Sequence, residues 1–413
     1  MVRIAVIGLG YIGLPTAVVL ANSGHEVIGV DTNKALVNKV NRHENYVMER
    51  GLSKLLQKVI TKKLLVAQTS VPRADAFFVC VPTPLIGKRP DLRYLVSAVK
   101  SVVPVLKKED IVIIESTAPP GTTEEIVRPI LEKSGLKCEK DFLLAYCPER
   151  VLPGDLLYEL IHNDRIVGGV GKKAAERARQ LYRTFVRGKI YTTDARTAEA
   201  VKLMENSFRM VNIALANEFA LICEQLDVDI YDAIALANRH PRVKIHAPGP
   251  GVGGYCLPKD PWFLIGNILT ENSELIRSAF QVNEKMPFHV ADLITKALRK
   301  KGKNIKRSRI TIFGLAYKGN IADTRNSPSK TLISYLKKKG ASICVYDPHA
   351  KGDDERTCTD IIACVNNADA IIVMCDHDEF KKIDFDELLQ NTNDAIIIDT
   401  RNIVRRSKKE NEV

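Results

Sequence analysis

The 413-residue chain predicts an α/β protein: two Rossmann-like doubly wound parallel-sheet domains joined by a long central helix and a helical region. Three observations carry this reading. The N-terminus runs strand, glycine turn, helix; short apolar runs alternate with helical stretches at both ends; and a helical pattern without Pro or Gly crosses the middle.

The elements follow in order. RIAVI, residues 3–7, is rich in β-branched residues and reads as a strand, and a helical pattern from about Tyr11 to Ser23 stops at Gly24. HEVIGVD is the second strand. AFFVCVP, DIVIIEST, FLLAYCP and RIVGGV then alternate with helical stretches, as in a parallel sheet covered on both faces. From about Asp194 to Leu226, Val201, Met204, Phe208, Val211, Leu215, Phe219 and Ile222 recur at helical spacing. A helix that long spans roughly 45 Å, more than one domain needs, so it links two domains and offers a dimer interface. More helix is expected at 273–300, and KKGKNIKRSR reads as an exposed joint. RITIFGL, ASICVYD, DAIIVMC and AIIIDT repeat the strand rhythm, so the two ends resemble each other in element order but not in sequence. The expected domains are 1–193, 194–300 and 301–413.

Composition narrows the function classes. With 45% apolar and 27% charged residues the chain is an ordinary globular protein, and no apolar run approaches a membrane span. Met1 leads directly into VRIAVIGLG without a basic region and cleavage site, so the expected compartment is the cytoplasm. The nine cysteines are scattered singly, which argues against a disulfide framework and against a structural metal. The net charge of +12 calls for anionic ligands. Its Lys and Arg are spread without interleaved aromatics, so a phosphate-bearing small molecule is favoured over nucleic acid.

GLGYIG, Gly8 to Gly13, fits the dinucleotide fingerprint directly after a strand. Gly8 permits the tight turn, Gly10 lets the backbone approach a pyrophosphate, and Gly13 allows close helix–strand packing. Asp31 ends the second strand, where a carboxylate accepts hydrogen bonds from an adenosine ribose and repels a 2′-phosphate, so NAD is expected over NADP. VPTP at 81–84 and ESTAPPGTT at 115–123 follow further strands, making Thr83 and Thr117 candidates for ligand contact or plain turn residues.

Lys202, Asn206 and Arg209 share one face of the long helix. A cation and an amide on a rigid element can stabilise a developing alkoxide, and a solvated face is the alternative reading. In GVGGYCLPKD, paired glycines precede Cys256, Lys259 favours thiolate over thiol, and Asp260 is placed to act as a base. From spacing alone Cys256 is a nucleophile or a buried free cysteine. Beside an NAD site the thiol acquires a task, adding to an aldehyde so that a second hydride can leave.

VIGLGYIGLP, VPTP, STAPPGTT, CPER, EAVKLMENSFRMVNIALANE, GVGGYCLPKD and GLAYKGNIADTRNSPS together resemble the nucleotide-sugar 6-dehydrogenases of the UDP-glucose/GDP-mannose dehydrogenase family. The resemblance covers nearly the whole chain. It implies an NAD-binding domain, a helical dimerisation region and a C-terminal domain holding the nucleotide of the sugar donor. The implied reaction oxidises the sugar C6 alcohol to a carboxylate with two NAD in succession, through a thiohemiacetal and a thioester on cysteine.

Carried over by position, the resemblance makes Cys256 the nucleophile. It assigns Lys202 and Asn206 to oxyanion stabilisation, Asp260 to base chemistry, and Thr117 and Glu149 to water. Gly8, Gly10, Tyr11, Ile12, Gly13, Asp31, Lys34, Thr83, Thr117, Lys259 and Arg325 would surround NAD. Glu149, Arg150, Val151, Lys202, Asn206, Arg209, Arg242, His246, Gly253, Tyr255, Tyr317 and Lys318 would surround a UDP-sugar, with Arg242 reaching the neighbouring subunit of a homodimer. No metal, nucleic acid or membrane is implied.

ANRHPRVKIHAPGPGVGG and DPWFL are similar to the branch acting on N-acetylated sugars, particularly UDP-N-acetylmannosamine, whereas YCLPKD is closer to the UDP-glucose branch. UDP-N-acetylglucosamine and UDP-glucose therefore stand as alternatives. Two rival functions are a two-electron hydroxy-acid dehydrogenase, which has no use for Cys256, and a non-catalytic nucleotide-binding protein.

Overall fold

The structure is a computed structural model that describes residues 1–47, 49–151, 154–266, 272–351 and 357–405. The chain divides into two compact units, one of Met1–Glu205 with Lys259–Leu269 and one of Asn206–Pro258 with Thr270–Val413. The division falls inside a single helix, Ala195–Leu226, whose bounds agree with the Pro- and Gly-free stretch of the sequence.

The first unit is built on eight strands: β1 (Arg3–Ile7), β2 (Glu26–Val30), β3 (Leu65–Gln68), β4 (Ala76–Val79), then, past a two-residue hairpin of β5 (Leu85–Ile86) and β6 (Arg89–Pro90), β7 (Ile111–Ile114), β8 (Leu143–Tyr146), β9 (Arg165–Gly169) and β10 (Ile190–Asp194). Their order is β10-β9-β8-β7-β4-β1-β2-β3, so the chain winds outward from β1 in one direction and then crosses back to β4. β1, β4, β7 and β8 are parallel, with Ile7 beside Val79, Val79 beside Ile114 and Ile114 beside Tyr146. The loops that follow them therefore leave one edge of the sheet, where doubly wound folds bind ligands.

Both faces are covered. Ile4, Val6, Phe78 and Ile113 pack with the helix Gly13–Asn22 on one side, and Ala5, Phe77, Val79 and Val112 pack with Leu95, Val99 and Val127 on the other. The sequence predicted parallel strands throughout; at the far edge β9 runs antiparallel to β8, and β10 is again parallel to β9. Among its described residues, the segment between Tyr146 and Arg165 holds the short helix Leu156–His162 and no longer helix to carry a crossover back to the start of the sheet, and the chain re-enters in the opposite sense. An antiparallel edge on a parallel sheet is a common variation.

The second unit carries a five-stranded sheet, wholly parallel, of β11 (Arg309–Phe313), β12 (Ser342–Tyr346), β13 (Thr357–Cys358), β14 (Ala370–Val373) and β15 (Ile396–Asp399), in the order β13-β12-β11-β14-β15. The helix Glu274–Lys300 packs Val290, Ile294 and Leu298 on one face with Ile310 and Ile312. Phe313, Phe380 and Phe385 fill the other. The central strands β11 and β14 are largely apolar because both of their faces are buried.

The two sheets share more than element order. GLGYIG follows β1, and GLAYKG, Gly314 to Gly319, follows β11 with the same spacing. Gly8 and Gly314 both lie in the left-handed region, at φ of 93° and 96°. A Cβ on either would strike a residue just past the end of the neighbouring strand: the Cys80 carbonyl oxygen at 2.6 Å for Gly8, and Cys375 Cβ at 2.2 Å for Gly314. The two ends thus do resemble each other in sequence, at this one turn, where strand packing allows only glycine.

Candidate active site

In the first unit four motif loops leave the carboxyl edge together. The glycine turn is shaped as the spacing predicts: a Cβ at Gly13 would lie 1.8 Å from the Gly8 carbonyl oxygen, while Gly10 is exposed and faces open space. Leu9 N–H donates to Asp31 Oδ2 at 2.9 Å, and Asn33 N–H donates to Asp31 Oδ1 at 2.8 Å, which fixes the carboxylate beside the turn. Tyr46 OH donates to the Leu9 carbonyl at 2.6 Å, a tether on the turn that no motif announced. Tyr11 donates to Glu49. Lys34 is exposed in the first turn of the helix Lys34–Asn41, Ile12 is half-buried, Thr83 is buried and Thr117 half-buried.

Glu149, in CPER, meets the long helix. Lys202 Nζ donates to the Glu149 carbonyl at 2.5 Å and lies 4.0 Å from its carboxylate, with both side chains largely buried. Burial pushes the Glu149 carboxyl up, and the Lys202 cation opposes the shift without cancelling it. Val151 N–H donates to the same carboxylate. Arg150 turns to the helix instead, pairing with Glu205 at 2.5 Å and donating to the Asp164 carbonyl at 2.9 Å.

Lys259 and Asp260 form a buried ion pair at 3.0 Å, and the Lys259 amine stands 4.2 Å from the centre of the Phe263 ring. Tyr146, at the end of β8, has its phenol pushed well above the usual range, first by burial, then by Glu199 and Asp260. Glu199 is a residue the sequence reading missed. It is fully buried and accepts hydrogen bonds from Gly121 N (2.6 Å), Thr123 N (2.8 Å) and Thr123 Oγ1 (2.6 Å), tying the PPGTT turn to the helix. Burial raises its carboxyl to about 7 despite these donors.

In the second unit the glycine-rich loop carrying Cys256 is held from below. Tyr317 of GLAYKG lies under it: a Cβ at Gly253 would meet Tyr317 Cβ at 2.5 Å, and one at Gly254 would meet the ring at 2.8 Å. Gly254 N–H donates to the Arg325 carbonyl at 2.8 Å, and Asn326 Nδ2 donates to the Gly254 carbonyl at 2.9 Å. Cys256 itself is exposed. Arg325 pairs with Asp323 at 2.6 Å and stands 5.1 Å from the Tyr255 ring. Its guanidinium is held above the usual range by Asp323 first, with Cys256 and Tyr317 adding to the shift, so a cation sits within electrostatic reach of the thiol.

The start of the loop is anchored by two buried amides that sequence reasoning also missed. Asn217 Oδ1 accepts from Gly249 N–H at 2.8 Å, Asn217 Nδ2 donates to Asn283 Oδ1 at 2.8 Å, and Asn283 Nδ2 donates to the Met210 carbonyl at 3.2 Å. Pro287 lies inside the helix that supplies Asn283, and without an N–H it cannot donate the usual helical bond to the Asn283 carbonyl. Gly251 fills that notch; a Cβ there would lie 3.1 Å from this oxygen.

Of the remaining predicted residues, Asn206 is buried and Arg209 half-buried on the long helix, and Lys318 is exposed beside Tyr317. Arg242 is exposed in a loop closed by Asn238, which donates to the Ile245 carbonyl at 3.0 Å and accepts from Ile245 N–H at 2.7 Å; His246 follows it, half-buried.

Three family models match the chain: the NAD binding domain of the UDP-glucose/GDP-mannose dehydrogenase family over residues 2–186, its central domain over 196–285 and its UDP binding domain over 311–406. The chain is 47% identical over 413 residues to the UDP-N-acetyl-D-mannosamine dehydrogenase of Methanococcus maripaludis, covering 98% of this chain and 94% of that protein. Among solved structures it is similar to the UDP-N-acetyl-D-mannosamine dehydrogenase of Pyrococcus horikoshii, with a TM-score of 0.93, 45% identity and coverage of 98% and 96%. The corresponding Staphylococcus aureus enzyme gives a TM-score of 0.90 at 41% identity, with coverage of 98% and 96%. The chain belongs to the UDP-glucose/GDP-mannose dehydrogenase family. It is accordingly an NAD-dependent nucleotide-sugar dehydrogenase, and the glycine turn with Asp31 fits that cofactor.

Proposed function

We propose that the protein oxidises the C6 alcohol of UDP-N-acetyl-D-mannosamine to the uronate, reducing two NAD per sugar. The identity to UDP-N-acetyl-D-mannosamine dehydrogenases across nearly the full length carries the choice of sugar. The exposed Cys256, on a loop clamped over Tyr317 and Arg325, supports the four-electron course.

NAD supplies the hydride acceptor; the chain's own groups supply the rest. Lys202 and Asn206 stabilise the alkoxide and the later tetrahedral oxyanions. Asp260 takes the proton of the alcohol, and Cys256 adds to the aldehyde so that the second oxidation leaves a thioester. Glu149 and Thr117 position the water that releases the acid. Tyr317, Lys318, Arg209, His246 and the 149–151 backbone hold the UDP-sugar. The domains divide at 1–193, 194–300 and 301–413.

The working form is a homodimer in the cytoplasm, with Arg242 completing the neighbouring site. Met204, Phe208, Leu215, Ile222 and Leu226 are exposed at coiled-coil spacing on the long helix, a face that a second copy would cover.

NADH formed from limiting UDP-N-acetylmannosamine tests the reading. Two NADH per sugar, and loss of steady turnover by more than about 10³-fold in Cys256→Ser, are expected. One NADH with Cys256 dispensable would refute it, and faster oxidation of UDP-glucose or UDP-N-acetylglucosamine would overturn the sugar.

A further inference from the structure

Three of the nine cysteines, on two strands and a short helix, converge at the edge of the second sheet. Cys344 Sγ lies 2.7 Å from Cys358 Sγ and 3.0 Å from Cys364 Sγ. The pairing of Tyr346 with Cys358 explains the first contact: Cys344 stands two residues before Tyr346, on the same face of β12, and is the diagonal neighbour of Cys358. Asp360 brings the third by capping the helix Ile361–Val365, its carboxylate accepting from Ala363 N–H at 2.8 Å. Cys344 and Cys364 are buried and Cys358 is half-buried.

A trio of thiols admits a metal or a disulfide, and the distances choose. Three thiolates at about 2.3 Å from a tetrahedral zinc stand roughly 3.7 Å apart, farther than either sulfur contact here. Among the described residues no fourth Cys, His, Asp or Glu joins the three. We propose that Cys344 and Cys358 are an oxidisable dithiol that closes a disulfide across β12 and β13, with Cys364 remaining a thiol.

The oxidant is a low-molecular-weight disulfide, RSSR. Cys358, the accessible member, loses its proton to solvent and attacks one sulfur of RSSR; a mixed disulfide forms and RS⁻ leaves. Cys344 then loses its proton and attacks Cys358 Sγ, the protein disulfide closes, and the second RS⁻ leaves. The protein gives up two electrons and two protons, and the small disulfide becomes two thiols. Burial and then the Cys344 contact raise the Cys358 thiol above its usual range, so the exchange quickens as pH rises. The ladder of β13 to β12 is two residues long, at Val345 and Tyr346; the disulfide adds a covalent clamp.

The full-length protein equilibrated in glutathione buffers of increasing oxidation, then alkylated, digested and weighed, tests this. The expected product links the Cys344 and Cys358 peptides, is lighter by two hydrogen atoms, and leaves Cys364 alkylated. Cys364→Ser keeps the link and Cys358→Ser loses it. Alkylation of all three in the most oxidising buffer, a link through Cys364, or a stoichiometric metal ion on the trio in native mass spectra would each overturn the proposal. The wild-type peptide map decides even where a variant fails to fold.

Discussion

Asp31 and Asp347 occupy the same place in two different sheets. Each stands directly after the second strand of its sheet, and each accepts backbone N–H groups from the glycine turn after the first: Leu9 at 2.9 Å for Asp31, Leu315 at 2.7 Å and Ala316 at 2.9 Å for Asp347. Asp347 goes further, accepting from His349 and Ala350 N–H groups and contacting the buried His377 at 3.2 Å. Burial alone would raise its carboxyl, but His377 and the N–H donors outweigh it and hold it at about 2. A depressed carboxyl stabilises the fold above its unfolded value near 3.8 and loses that contribution as pH falls towards 2. Asp347→Asn should therefore flatten the acid limb of unfolding, with roughly 2 kcal/mol less stability at neutral pH, read from denaturant midpoints across pH.

Glu199 has the opposite sign. Its carboxyl is raised from 4.5 to about 7, so the folded state binds the proton more tightly than the unfolded chain, and stability falls as pH rises through that window. The span corresponds to about 3 kcal/mol. In Glu199→Gln, with no proton to lose, that slope should vanish between those pH values. A slope equal to that of the parent would mean that another group titrates there.

Lys202→Ala should lower single-turnover reduction of NAD by about 10²–10³-fold while leaving NAD binding intact. Because the cation is what opposes the raised Glu149 carboxyl, removing it should carry Glu149 higher, and the acid limb of the residual rate should move to higher pH. A rate loss without that movement would separate Lys202 from Glu149.

Asn217→Ala would leave Gly249 N–H and Asn283 Oδ1 without their bonds. Buried groups stranded in this way cost about 1–3 kcal/mol each. A lowered denaturant midpoint together with slower alkylation or turnover at Cys256 is expected; a stability loss with an unaffected thiol would make the pair purely architectural.

Phe208→Glu places a charge on the exposed apolar face of the long helix. Light scattering should then report a dimer for the parent and a monomer for the variant, and mixing Phe208→Glu with Arg242→Ala should restore no activity.

Much of this architecture was legible because its signals are local. GLGYIG demanded a turn that only glycine can make, and the absence of Pro and Gly between Asp194 and Leu226 marked the helix almost to the residue. What stayed hidden depends on partners distant in sequence. Nothing near RIVGGV signals that β9 runs antiparallel, since that follows from the length and path of the connection before it. Asn217 and Asn283 read as ordinary polar residues on helices until they face each other. Tyr317 and Arg325 were named for ligand contact, yet their visible task is to seat the Cys256 loop. Single cysteines at 344, 358 and 364 carried no spacing signature, and strand register together with the capped helix Ile361–Val365 unites them.

Pro287 is where selection for heat resistance and selection for turnover would meet on one codon. An alanine there would mend the helix, and a proline in a helix interior costs about 3 kcal/mol relative to it. The same repair would engage the Asn283 carbonyl and close the notch in which Gly251 rests. A lineage evolving towards hotter water thus finds this stabilising step barred by the loop that carries Cys256, and gains its rigidity elsewhere in the chain.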